Sequence, residues 1–160
     1  MELKEIMEAF AAEAGLQDIA ADGDGIYALS IDEMVVSFAE DSEAGRLVTF
    51  AEVGESPAEG RERFYRLLLE TMYRGEATGG ATFSVPPDSD LICLQRFDLL
   101  ENMDLAGFKA MLESFVNILE DWRQALADFR DISPALNDVK EREADEVRQV
   151  GLGTEGFMQV

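Results

Sequence analysis

Between Asp104 and Asp131, seven large apolar residues recur at steps of four and three: Phe108, Leu112, Phe115, Leu119, Trp122, Leu126 and Phe129. Residues three and four apart share a helix face, so this heptad-like stripe predicts one long amphipathic helix. Glu113, Glu120, Asp121 and Arg123 lie on the opposite face, and Asp104 is the expected N-cap. A stripe this long has to be covered by another layer. Pro134, within Ile132-Ser133-Pro134, is expected to end the helix. Residues 132–160 are then read as a mobile acidic and glycine-rich appendix, with apolar residues near its end at Leu152, Phe157, Met158 and Val160.

The elements upstream supply the covering layer. Leu3, Ile6, Met7, Phe10 and Ala14 have helical spacing, with Gly15 as a stop. Gly25–Ile31, Met34–Phe38 and Arg46–Val53 are β-rich and predict a three-stranded antiparallel meander, with Asp32-Glu33 as a tight turn. Gly54–Pro57 should break the third strand. Ser56-Pro57-Ala58-Glu59 reads as a helix start, with Ser56 as N-cap and Pro57 in the first helical position. That helix is expected to run to about Arg74 and stop at Gly75. It carries one apolar stripe at Phe64, Leu67, Leu68 and Met72 and a second at Tyr65, Leu69 and Met72, so it calls for cover on two sides, from its own sheet and from a second subunit. Thr78–Phe97 then forms a hairpin, with strands Ala81–Val85 and Leu91–Phe97 around a turn at Pro86–Asp90 where neither proline can donate to a ladder. Residues 1–131 thus make one α+β domain. It has an antiparallel sheet, the order α-β-β-β-α-β-β-α, and a long C-terminal helix packed on the sheet.

Composition narrows the function. Thirteen basic residues stand against 34 acidic ones, a formal net charge of -21 in 160 residues. Such a surface repels nucleic acid and anionic membranes, and favours a basic partner or an aggregation-prone one that must be kept in solution. There is no histidine and one cysteine, Cys93. An intramolecular disulfide, the usual Cys/His zinc site and His-dependent nucleophilic catalysis are therefore excluded by inventory. The first residues show no basic n-region with an apolar core, and no apolar run is long enough to span a membrane, so a cytoplasmic protein is expected.

The remaining candidates for chemistry have plainer explanations. Asp22-Gly23-Asp24-Gly25 resembles the start of a calcium loop but lacks the later oxygen ligands, so a turn is expected. Thr78-Gly79-Gly80 leads into a strand rather than a helix and has no following lysine, which favours a strained turn or a close backbone approach over a phosphate cradle. Glu113, Glu120 and Asp121 read as a solvated face, Trp122 as packing on its stripe, and the methionines as core first and adaptable surface second. No catalytic residue, metal or cofactor is expected.

Three stretches, taken in order, carry a resemblance: Thr78-Gly79-Gly80-Ala81-Thr82-Phe83-Ser84-Val85, then Leu91 to Arg96 with Leu99 and Leu105, then Phe115-Val116-Asn117 with Glu120-Asp121-Trp122-Arg123. They are similar to the glycine-led strand, the L-x-L-Q-R strand and the F-V-N-x-x-E-x-W helix of the class I type III secretion chaperones, the CesT/SycE-type family. The likeness covers about residues 1–130. The chain departs from the pattern at Asp32-Glu33, where a glycine turn is commoner, and in its added tail. The resemblance implies a homodimer, not an enzyme, that holds the unfolded N-terminal segment of a secreted effector without ATP hydrolysis and presents it to the secretion apparatus. It places the dimer contact at Tyr65, Leu68, Leu69, Met72, Phe83 and Val85, and guest contacts at Ile6, Phe10, Tyr27, Leu29 and Val36. The alternative on the same scaffold is a regulatory module that sequesters a folded regulator.

Overall fold

The computed structural model describes residues 1–17 and 19–152, with side chains described as far as residue 131. The elements are α1 (Leu3–Ala14), β1 (Tyr27–Ile31), β2 (Met34–Asp41), β3 (Arg46–Glu55), α2 (Arg61–Thr71), β4 (Thr82–Ser84), β5 (Leu91–Leu99) and α3 (Leu105–Leu152). The strands form one antiparallel sheet in the order β1-β2-β3-β5-β4. Element order, sheet type and the long last helix are as the sequence predicts.

Local chemistry sets most boundaries. Glu2 and Glu5 form a reciprocal capping box at the start of α1, and Gly15 ends it in the left-handed region. The β1–β2 turn is as tight as expected, with Asp32 taking the positive φ of 51° that glycine would have supplied. Asp104 caps α3 by accepting the Gly107 N–H at 2.7 Å. Gly79 adopts φ +55°, and a Cβ there would lie 3.2 Å from Ile118 Cδ1, so Gly79 makes the close approach to α3 while Gly80, at φ +84°, serves the turn. Asp22 accepts the N–H groups of Asp24 and Ile26, each at 2.9 Å, making the turn expected there.

Three boundaries differ from expectation. β3 does not break at Gly54; a bulge between Glu52 and Gly54 lets it continue to Glu55. Ser56 is consequently not a helix cap. Its N–H donates to Asp90 O at 2.6 Å, prolonging the β3–β5 ladder, and its hydroxyl bonds the Tyr65 hydroxyl at 2.6 Å. The helix starts instead at Arg61, after Gly60 at φ +69°. It ends at Thr71, and a 3₁₀ turn covers Tyr73–Gly75. Finally, α3 runs through Pro134 to Leu152. One interior proline costs about 3 kcal/mol; the long packed helix that precedes it, and the good helix formers that follow at Ala135, Leu136 and Lys140–Glu143, favour continuation. Phe157, Met158 and Val160, named above as an apolar end, lie outside the described residues.

Strand alternation sorts the sheet into two faces. Met34, Val36 and Phe38 of β2, Leu47, Thr49, Ala51 and Val53 of β3, and Ile92 and Leu94 of β5 are buried on the inner face. α1 and the first half of α3 cover it: the Phe108 ring lies 5.5 Å from Phe10 and 5.3 Å from Phe38. α2 packs on α3 further along, with Phe64 6.4 Å from Trp122 and 4.9 Å from Phe129. Phe38, Phe64, Phe108 and Phe115 are fully enclosed, and each such side chain contributes about 1.5–3 kcal/mol by leaving water. Among the described residues the outer face has no such cover: Val35, Phe97 and Leu99 are about half exposed there.

Candidate protein-binding surfaces

The six side chains assigned to a subunit contact come together. Tyr65, Leu68, Leu69, Met72, Phe83 and Val85, with Ser84, line one apolar depression of about 210 Å³ between α2 and β4. The local cause is the double stripe of α2. Phe64 and Leu68 turn into the core, which leaves Leu69 at 65% exposure on the next face. Met72 joins helix to strand, its sulfur accepting the Phe83 N–H at 3.0 Å. Phe83 is held from below by the Trp122 ring at 4.9 Å. Val85, also in the lining, is 42% exposed, so part of the depression's apolar wall is open.

The five residues assigned to guest contact divide differently. Ile6 and Val36 are fully enclosed and Leu29 nearly so, all three within the core of the protomer. An enclosed side chain cannot touch a guest on the surface, so these three are core residues and not contact residues. Phe10 and Tyr27 are only partly buried and stand at the rim of the core. Tyr27 begins β1, whose far edge pairs with no strand among the described residues. That edge is the feature of this region able to take up an extended chain.

The sequence reading missed the last turn of β5. Phe97 and Leu99 are among the more exposed large apolar residues, and Arg46 lies over the Phe97 ring at 5.0 Å. The alternation of apolar Phe97 and Leu99 with charged Arg96 and Asp98 was a signal that the strand continued past Phe97. Arg46 also pairs with Asp41 at 2.7 Å, and this hydrogen bond holds the Asp41 carboxyl below its usual pKa. Cys93 is half-buried, and burial, helped by the nearby Glu52 charge, pushes its thiol pKa up, so it is a poor nucleophile. Glu2, Glu5, Glu40 and Glu101 line a depression of about 560 Å³ at the end of the sheet near Leu99.

Among the described residues, no group of three or more His, Cys, Asp or Glu side chains is placed to hold a metal ion. No described helix is long and apolar enough to cross a membrane. The arrangement offers apolar depressions, open strand edges and abundant carboxylates, which together suit the binding of polypeptide.

Comparison with known proteins agrees. A Chlamydia pneumoniae protein, CPj0713/CpB0740, is 26% identical over 123 residues, covering 75% of this chain and 92% of its own. Three solved structures share the fold. A chain of the ExsC–ExsE complex matches with a TM-score of 0.68 and 23% identity, covering 79% of this chain and 97% of that one. The HopA1–SchA chaperone–effector complex gives 0.63 and 15%, covering 76% and 92%. The Yersinia pestis type III secretion chaperone SycH, in complex with a stable fragment of YscM2, gives 0.57 and 24%, covering 74% and 97%. The model of the Tir chaperone protein (CesT) family matches residues 5–123, from α1 into the middle of α3, and the chain belongs to that family.

Proposed function

We propose that this protein is a cytoplasmic, homodimeric chaperone for a type III secreted effector. It binds the effector's non-globular N-terminal segment, keeps it soluble and hands it to the secretion apparatus, and it does so without ATP hydrolysis. The observation that carries this reading is the family match across nearly every described element. The physical features support it. An extended guest pairs with the open edge of β1 beside Phe10 and Tyr27, and main-chain hydrogen bonds give affinity that depends little on guest sequence. The net charge of -21 keeps the complex dispersed. Two copies meet through the α2–β4 depression, which covers Leu69, Met72 and Val85.

The test is co-expression with the N-terminal segment, on the order of a hundred residues long, of an effector encoded beside this chain. The segment is expected to co-purify as a soluble complex and to precipitate when expressed alone. Failure of any such segment to co-purify, together with capture of a folded regulator, would overturn the proposal in favour of the regulatory module.

A further inference from the structure

Among the described residues, the end of β5 has no strand beside it on one edge. β4 begins its pairing at Thr82 opposite Gln95, whereas β5 runs on to Leu99. Two hydrogen bonds at opposite ends of the β3–β5 ladder fix which backbone groups face that edge. Ser56 N–H donates to Asp90 O, and Leu100 N–H donates to Gly45 O at 3.0 Å. Bonded residues alternate along an antiparallel pair, so the even-numbered residues of β5 turn their backbone groups toward β3. The N–H groups of Phe97 and Leu99 and the C=O of Phe97 point the other way, and among the described residues β4 reaches none of them; the Leu99 C=O instead closes the 3₁₀ turn Leu100–Asn102.

The surroundings define what fits there. A depression of about 550 Å³ lies between this edge and α3, with Met103, Ala110 and Met111 in its wall. Cross-strand neighbours share a face, so a residue placed opposite Asp98 would enter that depression. Asp98 is already neutralised by Arg96 at 2.7 Å, which leaves the depression suited to an aliphatic side chain. A segment antiparallel to β5 would start beside Leu99, which with Glu101 also lines the depression that holds Glu2, Glu5 and Glu40 around the end of the strand. That lining holds four carboxylates and no lysine or arginine.

We infer that the free edge of β5 at Phe97 and Leu99 docks a short extended segment of the guest, with an aliphatic residue opposite Asp98 and lysine or arginine just before it. The inference rests on the guest being extended, and it adds a second docking edge on the opposite side of the sheet from β1.

Leu99 makes the test selective. Its backbone, φ −73° and ψ 123°, is one that proline adopts, and its N–H takes no part in the bonding to β3. Leu99→Pro therefore deletes the edge donor, while Leu99→Ala removes the same side chain and keeps the donor. The probe is a fluorescent synthetic peptide of alternating valine and threonine led by two lysines, titrated by anisotropy into the full-length protein. Leu99→Pro is expected to bind about three- to tenfold more weakly than Leu99→Ala, the effect of one lost hydrogen bond. Replacing the peptide's lysines by glutamates should weaken binding further, by a margin that shrinks as salt rises. In the unaltered protein, amide exchange at Phe97 and Leu99 should slow when the peptide binds, a readout that does not depend on the variant folding. Equal affinities for the two variants with no slowing at either amide would overturn this edge and leave the extended-guest reading standing. No binding of the peptide to any form would overturn both.

Discussion

Phe115 and Leu69 are both large apolar residues on amphipathic helices, yet the first is fully enclosed and the second is 65% exposed. The stripe of α3 meets a complete partner within the protomer: the inner sheet face, α1 and α2. Among the described residues, the second stripe of α2 meets only the rim of β4, and the depression there is open. Both surfaces carry the same residue types. What separates scaffold from binding surface is whether the same chain supplies the covering layer, and hydrophobic periodicity alone does not record that.

This contrast can be broken experimentally. The interior should be the costly side: Phe115→Ala is expected to lower unfolding free energy by about 3–5 kcal/mol, measured by urea denaturation. A loss under about 1 kcal/mol would mean that the α3 stripe is not the core of the protomer. Gly79→Ala probes the joint between the two regions. It places a side chain at φ +55° against Ile118 and should cost about 1–2 kcal/mol by the same measurement; a neutral result would remove the close approach from the account. Leu69→Glu is expected to disturb the protomer's fold least, by under about 0.5 kcal/mol in the manner of a surface change. Its effect should appear in light scattering, as a mass reduced from dimer to monomer with unchanged circular dichroism. A dimer that persists would place the subunit contact elsewhere.

The sequence disclosed the fold wherever one periodicity ran unopposed. The seven-residue stripe of α3, the cap at Asp104 and the meander from Tyr27 to Val53 needed no tertiary information. It misled where a local signal lost to a distant partner. Ser56-Pro57 has the chemistry of a helix start, but the Ser56 N–H is taken by Asp90, 34 positions further along and brought alongside by the β3–β5 ladder. Pro134 has the chemistry of a stop, but a helix already secured by packing passes through it. The double stripe of α2 signalled that it needs a second cover, whereas the particular set Tyr65, Leu68, Leu69, Met72, Phe83 and Val85 came from the family resemblance. Ile6, Leu29 and Val36 were not separable from surface residues, since Val35 and Val36 are adjacent, both apolar, and face opposite sides of the sheet. The open edge at Phe97 and Leu99 was hidden because it depends on β4 being short, which no residue of β5 announces.

The central claim is that the bound guest stays extended rather than folded. The most direct measurement is the heteronuclear NMR spectrum of an isotope-labelled effector N-terminal segment in complex with unlabelled protein. The account predicts guest amide shifts without the wide dispersion of a globular domain, with slowed exchange confined to short stretches paired at strand edges. A widely dispersed spectrum, with protection spread through an independently folded guest, would contradict it.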